Sequence, residues 1–429
     1  MTRLLRPRSV EELVRRREAA VPAEAVAVAA PIVEAVRRHG EAALRQHAER
    51  FGEIAPGEPL VIMRPALERA LGLLDRDDRV RLERTAARIR TFAEAQRPAQ
   101  NAVTMPVPGG TAGYTAAPVR RAGCYAPGGR YPLPSTVLMT AVTARVAGVR
   151  EVWVASPRPH AIVLAAAAVA DADAVLVAGG AHAVAALAYG AGPVPRCDVV
   201  VGPGNRYVTA AKQLVAGRVG IDMLAGPSEL VVFADESAAA GLVAADLLAQ
   251  AEHDPDALPL LVSLDRSLPA RVEEELHLQL ADLPTADVAR AALANGGVVA
   301  VGTIDEGIAA CDAIAPEHLE LHLADAGAIA SRLSNYGALF VGSEAAEVLG
   351  DYGAGPNHVL PTGGTARWTG GLSALTFMRT RTWLRISEPR LAHELMEDAA
   401  WFSRAEGLEA HRRAVECRAV TRIDLQARK

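Results

Sequence analysis

Residues 197–212 read "CDVVVGPGNRYVTAAK". A short Val run stops at a Gly-Pro-Gly turn, and a helical pattern begins at once. The strand reading rests on β-branched residues, the turn on Gly and Pro, and the helix on Ala-rich spacing. Working outward, the same texture recurs. "EVWVAS" (151–156) and "DAVLVAGG" (173–180) precede it, with helical segments at about 135–147, 160–171, 181–190 and 206–216. "ELVVFAD" (229–235), "LPLLVSLD" (258–265), "GVVAVG" (297–302) and "GALFVG" (337–342) follow it, again with helices between. Strand, helix, strand is the signature of parallel, doubly wound sheets. The expected fold is therefore α/β, with two Rossmann-like modules meeting near Gly226-Pro227-Ser228.

The flanks read differently. Residues 8–52 are helical and rich in Arg, Glu and Ala, with Ser9 and Glu12 spaced as a capping box. They read either as an arm for a partner subunit or as a charged surface helix. A second helical stretch runs from about Arg64 to Gln96, and the chain from about Leu372 reads as mostly helix.

The totals exclude several classes. At 429 residues the chain is too long for one core. Its net charge of −5 offers no electrostatic footprint for nucleic acid or an anionic membrane. The longest apolar run, "AIVLAAAAVA" (161–170), is too short to span a bilayer, and the N-terminus lacks a secretory core. Four scattered cysteines form no C-x-x-C pair, which argues against a thiolate metal site or a disulfide framework. A cytoplasmic location follows as the expectation.

Two loops could cradle an anion. "YAPGGRYPLPSTVLM" (125–139) and "VVVGPGNRYVTAAK" (199–212) each place a Gly-rich turn before a helix, where backbone N–H groups converge. Neither is G-x-G-x-x-G or a Walker A loop, and a Gly-Pro-Gly turn is also an ordinary tight turn.

Polar residues concentrate in four places. In "DLLAQAEHDP" (246–255) an apolar helix ends with Asp246, Gln250 and His253 at i, i+4 and i+7, on one face. "APEHLELHL" (315–323) sets Glu317 and His318 before an alternating run. "GDYGAGPNHVLPTGG" (350–364) carries Asp351 and His358, and "EGLEAH" (406–411) carries Glu406 and His411. Singly, each has an ordinary reading as a helix end, a turn or a solvated face. Together they offer only N and O donors, which suits Zn²⁺ with a partly open shell, or Mn²⁺.

"PGGRYPLPSTVLM" (127–139), "GPGNRYVTAAK" (202–212), "IDMLAGPSE" (221–229), "LLAQAEHDP" (247–255), "APEHLEL" (315–321), the 350–364 loop and "EGLEAH" stand in the order found in the histidinol dehydrogenase family. The chain resembles that family from about residue 10 to 420. The resemblance implies an NAD-dependent dehydrogenase of histidine biosynthesis with one zinc per subunit, which oxidises L-histidinol to L-histidine in two steps through an aldehyde. It implies zinc ligands Gln250, His253, Asp351 and His411, which also contact substrate, and an acid/base pair Glu317 and His318. Ser228, His318, His358 and Glu406 match substrate-contacting positions. Tyr125, His182 and Asn205 match cofactor-contacting positions, although His182 replaces the usual Gln of "GGAQA". Pro356 replaces the usual Thr of "G-T-N-H". These departures keep open a paralogue that performs the same oxidation on another polar alcohol, such as a sulfonated diol. A zinc hydrolase and a non-catalytic nucleotide binder are the readings from other classes; the first leaves the Gly-rich loops without a purpose, and the second predicts loss of Glu317 or His318. The implied division is an arm at 1–19, a first α/β domain at 20–124 and 230–371 with most of the metal and acid/base residues, an NAD-binding domain at 125–229, and a dimer-swapped helical tail at 372–429. The implied assembly is a homodimer with shared sites.

Overall fold

The computed structural model describes residues 3–15, 21–97, 102–128 and 131–420. Parts of the expected arm, the end of the tail, and Gly129 and Arg130 of the first Gly-rich loop lie outside the described residues. The chain divides into two compact units: residues 1–96 with 119–377, and residues 97–118 with 378–429.

The larger unit opens with α1 (Val10–Arg15), α2 (Ala23–His39) and α3 (Glu41–Arg50). Then come β1 (Val61–Met63), α4 (Arg64–Gly72) and α5 (Arg76–Gln96). The smaller unit interrupts with β2 (Val103–Val107) and β3 (Gly110–Pro118). The larger unit resumes as β4 (Arg121–Tyr125), α6 (Pro134–Ala147), β5 (Glu151–Ala155), α7 (Ala161–Val169), β6 (Ala174–Leu176), α8 (Gly180–Tyr189), β7 (Val199–Val201), α9 (Arg206–Val215) and β8 (Gly220–Ile221). These strands form a six-stranded sheet in the order β1-β6-β5-β4-β7-β8, parallel except for β1.

A second alternation follows: β9 (Glu229–Ala234), α10 (Ala240–Ala251), β10 (Leu258–Ser263), α11 (Leu268–Gln279), α12 (Ala286–Leu293), β11 (Gly297–Ala300), α13 (Ile304–Ile314), β12 (His318–His322), α14 (Ala326–Ala330), β13 (Ala338–Val341) and α15 (Glu347–Tyr352). Its five strands are all parallel, in the order β11-β10-β9-β12-β13. Apart from the edge strand β1, each sheet starts in its middle, winds outward to one side, then returns to fill the other. The expected pair of doubly wound modules holds. Both reverse direction at a switch point, between β4 and β7 in one sheet and between β9 and β12 in the other.

The expected domain boundaries shift. Residues 20–124 were assigned with the second sheet, but β1 and β4 pair within the six-stranded one. Ala25, Ala29, Val33 and Val36 on one face of α2 share a core with Leu187 of α8 and Val208 of α9. An Ala- and Val-rich stripe on α2 can approach those small-residue helices closely, and this burial decides the placement. The start of the chain packs on the five-stranded sheet. Pro7 bridges Val298, Arg8 N donates to Val298 O at 2.9 Å, and Leu5 and Leu13 are fully buried. The segment thus covers the β11 edge of its own chain, an edge that would otherwise present unpaired backbone groups. Half of the expected capping box forms, as Glu12 N donates to Ser9 Oγ at 3.1 Å.

The smaller unit adds a feature the sequence reading lacks. β14 (Met378–Ile386) pairs antiparallel with β3, and β2 closes a three-stranded sheet. The segment from Leu372 therefore begins as a strand, because "MRTRTWLRI" finds a ladder partner. It becomes helical only at α16 (His393–Ala405) and α17 (Glu409–Val420). No described helix is long and apolar enough to cross a membrane, and Cys124, Cys197 and Cys311 are buried and form no disulfide.

Packing on the five-stranded sheet is tight. A Cβ at Gly307 of α13 would lie 2.1 Å from Phe233 Cζ, and Phe233 is fully buried on β9. Gly307→Ala should therefore lower unfolding stability by about 1–3 kcal/mol, read as a reduced denaturation midpoint with an unchanged slope.

Candidate active site

The acid/base candidates sit at the start of β12. A strand buried on both faces of a parallel sheet is normally apolar throughout. Here His318, Glu320 and His322 alternate with Leu319 and Leu321, and all five are buried. Leu319 and Leu321 face the core under α13. The register sets His318 and Glu320 beside Leu230 and Val232 of β9, whose side chains share the core packed by α10. The polar face of β12 is therefore the face toward α10. The chain enters β12 through Ala315 at φ +48 and Pro316. A non-glycine residue held left-handed is a strained turn, and it stands two residues before the pair.

The backbone of Glu229 organises both groups. Its N–H donates to Glu317 Oε2 at 2.9 Å, and its carbonyl oxygen lies 3.2 Å from His318 Nδ1. In neutral His318 the Nδ1–H donates to that carbonyl, which leaves Nε2 as the basic nitrogen. Nε2 is buried and has no hydrogen-bond partner among the described residues, and it stands 3.8 Å from Asp351 Oδ1. Burial pushes His318 down to about 4, against the pull of the Asp351 carboxylate. Burial pushes Glu317 well above the usual carboxylate range, and the charge of Asp351 adds to the rise.

The N and O donors gather beside this pair. Gln250 lies in the last turn of α10 and is fully buried, with neither amide atom hydrogen-bonded among the described residues. Such an orphaned amide is costly without a partner, and it marks a ligand position. His253, Glu347 and Asp351 bring one ligand atom each to within 4.8 Å of one another. Glu347 was missed by the sequence reading. Its spacing of i, i+4 to Asp351 on α15 was the available signal. Burial, reinforced by Asp351, pushes its carboxyl well above the usual range, and both its oxygens lack hydrogen-bond partners. These donors could hold a divalent cation, and the C-terminal end of α10 favours positive charge there.

His358 joins the two modules. Its Nδ1 is 2.9 Å from Asp351 O, and its Nε2 is 3.4 Å from Thr136 Oγ1 in the first turn of α6. Asn357 Nδ2 donates to Met139 O on the same helix at 2.9 Å. A cavity of about 640 Å³ opens here, lined by His318, Asp351, His358, Tyr336 and Phe340 among others. That volume suits a small polar molecule. Glu406 caps the end of α16 and His411 lies in the first turn of α17. Both are exposed and belong to the smaller unit.

The expected cofactor residues stand at the carboxyl edge of the six-stranded sheet. Tyr125 ends β4 and Asn205 follows β7, so they flank the switch point where such sheets bind ligands. Asn205 Oδ1 caps α9, accepting from Tyr207 N at 3.0 Å and Val208 N at 3.2 Å. The first amides of α8 are already engaged: Gly179 N donates to Glu53 Oε1 and Gly180 N to Tyr125 Oη, both at 3.1 Å. His182 is buried, with Nε2 2.7 Å from Glu53 Oε2 and its ring stacked near His47 and Phe51.

The 202–205 turn is fixed from beneath. Gly202 holds φ +115, and a Cβ there would meet Tyr125 O at 2.0 Å, so only glycine fits. Lys212 Nζ donates to Gly202 O at 3.0 Å and ion-pairs with Asp222. The Asp222 carboxylate accepts from Gly202 N and Met223 N, both at 2.7 Å.

Comparison with known proteins agrees with this arrangement. The histidinol dehydrogenase family model matches residues 15–419. The chain is 48% identical to the histidinol dehydrogenase of Thermus thermophilus over 389 residues, 90% of this chain and 93% of that one. It is 43% identical to the Pseudomonas fluorescens enzyme over 91% of this chain and 89% of that one. The crystal structure of histidinol dehydrogenase from Elizabethkingia anophelis superimposes with a TM-score of 0.89 at 28% identity, covering 98% of this chain and 99% of that one. Fold and site together define a dehydrogenase built on two doubly wound sheets. More narrowly, the chain belongs to the histidinol dehydrogenase family.

The Lys212–Asp222 pair carries a prediction. Both side chains are buried, at 1% and 0% exposure. Lys212→Met would leave Asp222 buried without its partner charge, which should cost about 3–5 kcal/mol in a denaturant titration. The double variant Lys212→Met/Asp222→Asn should recover part of that loss.

Proposed function

We propose that this chain oxidises L-histidinol to L-histidine in the cytoplasm, in two successive steps through the aldehyde. In balance, the alcohol, one water and two NAD⁺ give the carboxylate, two NADH and three protons. The observation that carries the reading is His318, a buried neutral imidazole whose basic Nε2 is unpartnered and faces the Asp351 donor set.

Gln250, His253 and Asp351 would hold zinc, with His411 of a second copy as a further ligand. The orphaned Gln250 amide and the mixed N/O donor set fit that ion. When bound, zinc supplies Lewis acidity that favours release of the hydroxyl proton and polarises the carbonyl oxygen. Tyr125, His182 and Asn205 would hold NAD⁺, which accepts the hydride. Their places around the switch point support this.

His318 accepts the hydroxyl proton in the first step. Glu317 activates water on the aldehyde in the second. Its carboxylate form is disfavoured by burial and by the charge of Asp351. Neutralising the Asp351 charge, as bound zinc would, would lower the cost of ionising Glu317. Ser228, just before β9, contacts the substrate. His358, held by Asp351 O and Thr136, and Glu406 of the second copy contact the substrate.

Purified protein should form two NADH per L-histidinol at 340 nm. Chelation should stop turnover, and a sulfonated diol should not serve. Absent turnover of L-histidinol alongside rapid oxidation of the diol would overturn the substrate assignment. His318→Asn should slow alcohol oxidation by roughly 10²–10⁴-fold. Glu317→Gln should depress aldehyde oxidation more than alcohol oxidation, since only the former consumes water. Equal loss in both half-reactions, with metal retained, would refute the division.

We further propose a homodimer in which each tail completes its neighbour's site. Inactive His411→Ala and inactive His253→Ala chains, refolded together, should regain NADH formation, because a mixed dimer holds one undamaged site. Heterodimers without recovered activity would rule the arrangement out.

A further inference from the structure

Asp246, Glu320 and His322 form a second cluster, one helical turn and one strand repeat away from the donors already described. Asp246 precedes Gln250 by four residues on α10, and Glu320 and His322 follow His318 at alternate positions on β12. One ligand atom from each lies within 4.8 Å of the other two. His322 Nε2 stands 3.5 Å from Asp246 Oδ2 and 3.5 Å from Glu320 Oε2. A charge-assisted hydrogen bond would close to about 2.7–2.9 Å. Two donors on one ion, each bonded at about 2.0–2.2 Å, stand roughly 3.3–3.6 Å apart. The observed spacing matches the second case.

The orientation of Glu320 is independent support. The residue is 1% exposed. Its Oε1 accepts from Glu347 N at 2.6 Å, which fixes the carboxylate. Its Oε2 is thereby presented to His322, buried and without a hydrogen-bond partner among the described residues. His322 Nδ1 also lacks a hydrogen-bond partner among the described residues, so among them the cluster is not a closed hydrogen-bond network. Its only ion-pair contacts among the described residues run through His322, with no Lys or Arg beside either carboxylate. Asp246 is the partly exposed member and gives an ion its way in.

We propose that Asp246, Glu320 and His322 bind a second divalent cation, Zn²⁺ or Mn²⁺, with water completing the shell. One imidazole and two carboxylates suit either ion. The ion would tie the middle of α10 to β12 and so fix where Gln250 and His253 are carried. Its ligands differ from those of the proposed catalytic zinc, so the two assignments succeed or fail separately.

The test is metal counting. Protein stripped with chelator, reloaded with zinc sulfate or with manganese chloride and desalted, is measured by plasma mass spectrometry. With at least one of the two metals, the unaltered chain should hold two ions, and Asp246→Asn and Glu320→Gln one each. His253→Ala should also hold one, and Asp246→Asn/His253→Ala none. Asp246→Asn lies at the exposed edge and decides the matter if Glu320→Gln does not fold. With both metals, an ion count in Asp246→Asn equal to that of the unaltered chain, whatever that count is, overturns the proposal; a single ion that is lost in Asp246→Asn but kept in His253→Ala overturns the catalytic zinc assignment instead.

Discussion

A carboxylate and an imidazole placed on a buried strand must be paid for in hydrogen bonds, and the backbone of Glu229 supplies them. One residue gives its N–H to Glu317 and its carbonyl to His318. This works only because β9 and β12 are parallel neighbours in register, with Leu230 opposite His318. The switch point that makes them neighbours is therefore a chemical requirement as well as a topological one. The tautomer of His318, the side from which it can take a proton, and the shielding of Glu317 all follow from that pairing.

The two sheets use opposite edges. In the six-stranded sheet the expected cofactor residues stand at the carboxyl ends of the strands, where helices point their N-termini and favour anions. In the five-stranded sheet the pair proposed for proton transfer stands at the amino ends of β9 and β12, beside the C-terminal end of α10. Helix C-termini favour cations. One chain thus builds an anion-favouring edge and a cation-favouring edge from the same βαβ unit. The 357–362 stretch links them, through His358 and Asn357 on α6 and through Thr362 Oγ1, which accepts from Gly226 N.

Much of this was legible in the sequence because burial imposes period and composition. Val-rich runs between helical segments revealed both sheets, and the i, i+4 spacing placed Asp246 and Gln250 on one face of α10, with His253 in the exposed turn just past its end. What was not legible lacked such a signal. β2 is a short, mostly exposed VTMPV interrupted by Pro106, β3 carries Thr, Gly and Ala with little alternation, and β14 is Arg- and Thr-rich with most of its residues exposed. Their strand character comes from pairing rather than from a buried face. Residues 23–50 could be recognised as helical, but which sheet they cover depends on complementarity of small residues, which periodicity does not encode. Glu347 sat in plain sequence four residues before Asp351. It was passed over because a lone Glu in a short helix has no distinguishing pattern.

The three-stranded sheet has a consequence for how the chain is born. β2 and β3 form a local hairpin, but the other edge of β3 pairs with β14, Gly110 meeting Ile386 and Pro118 meeting Met378. During synthesis at about 5–20 residues per second, β3 leaves the ribosome on the order of tens of seconds before its partner exists. Through that interval it presents an open ladder, the kind of edge that recruits foreign strands. The larger unit has its full sequence earlier and can fold first. The smaller unit, which carries Glu406 and His411, closes only at the end of translation.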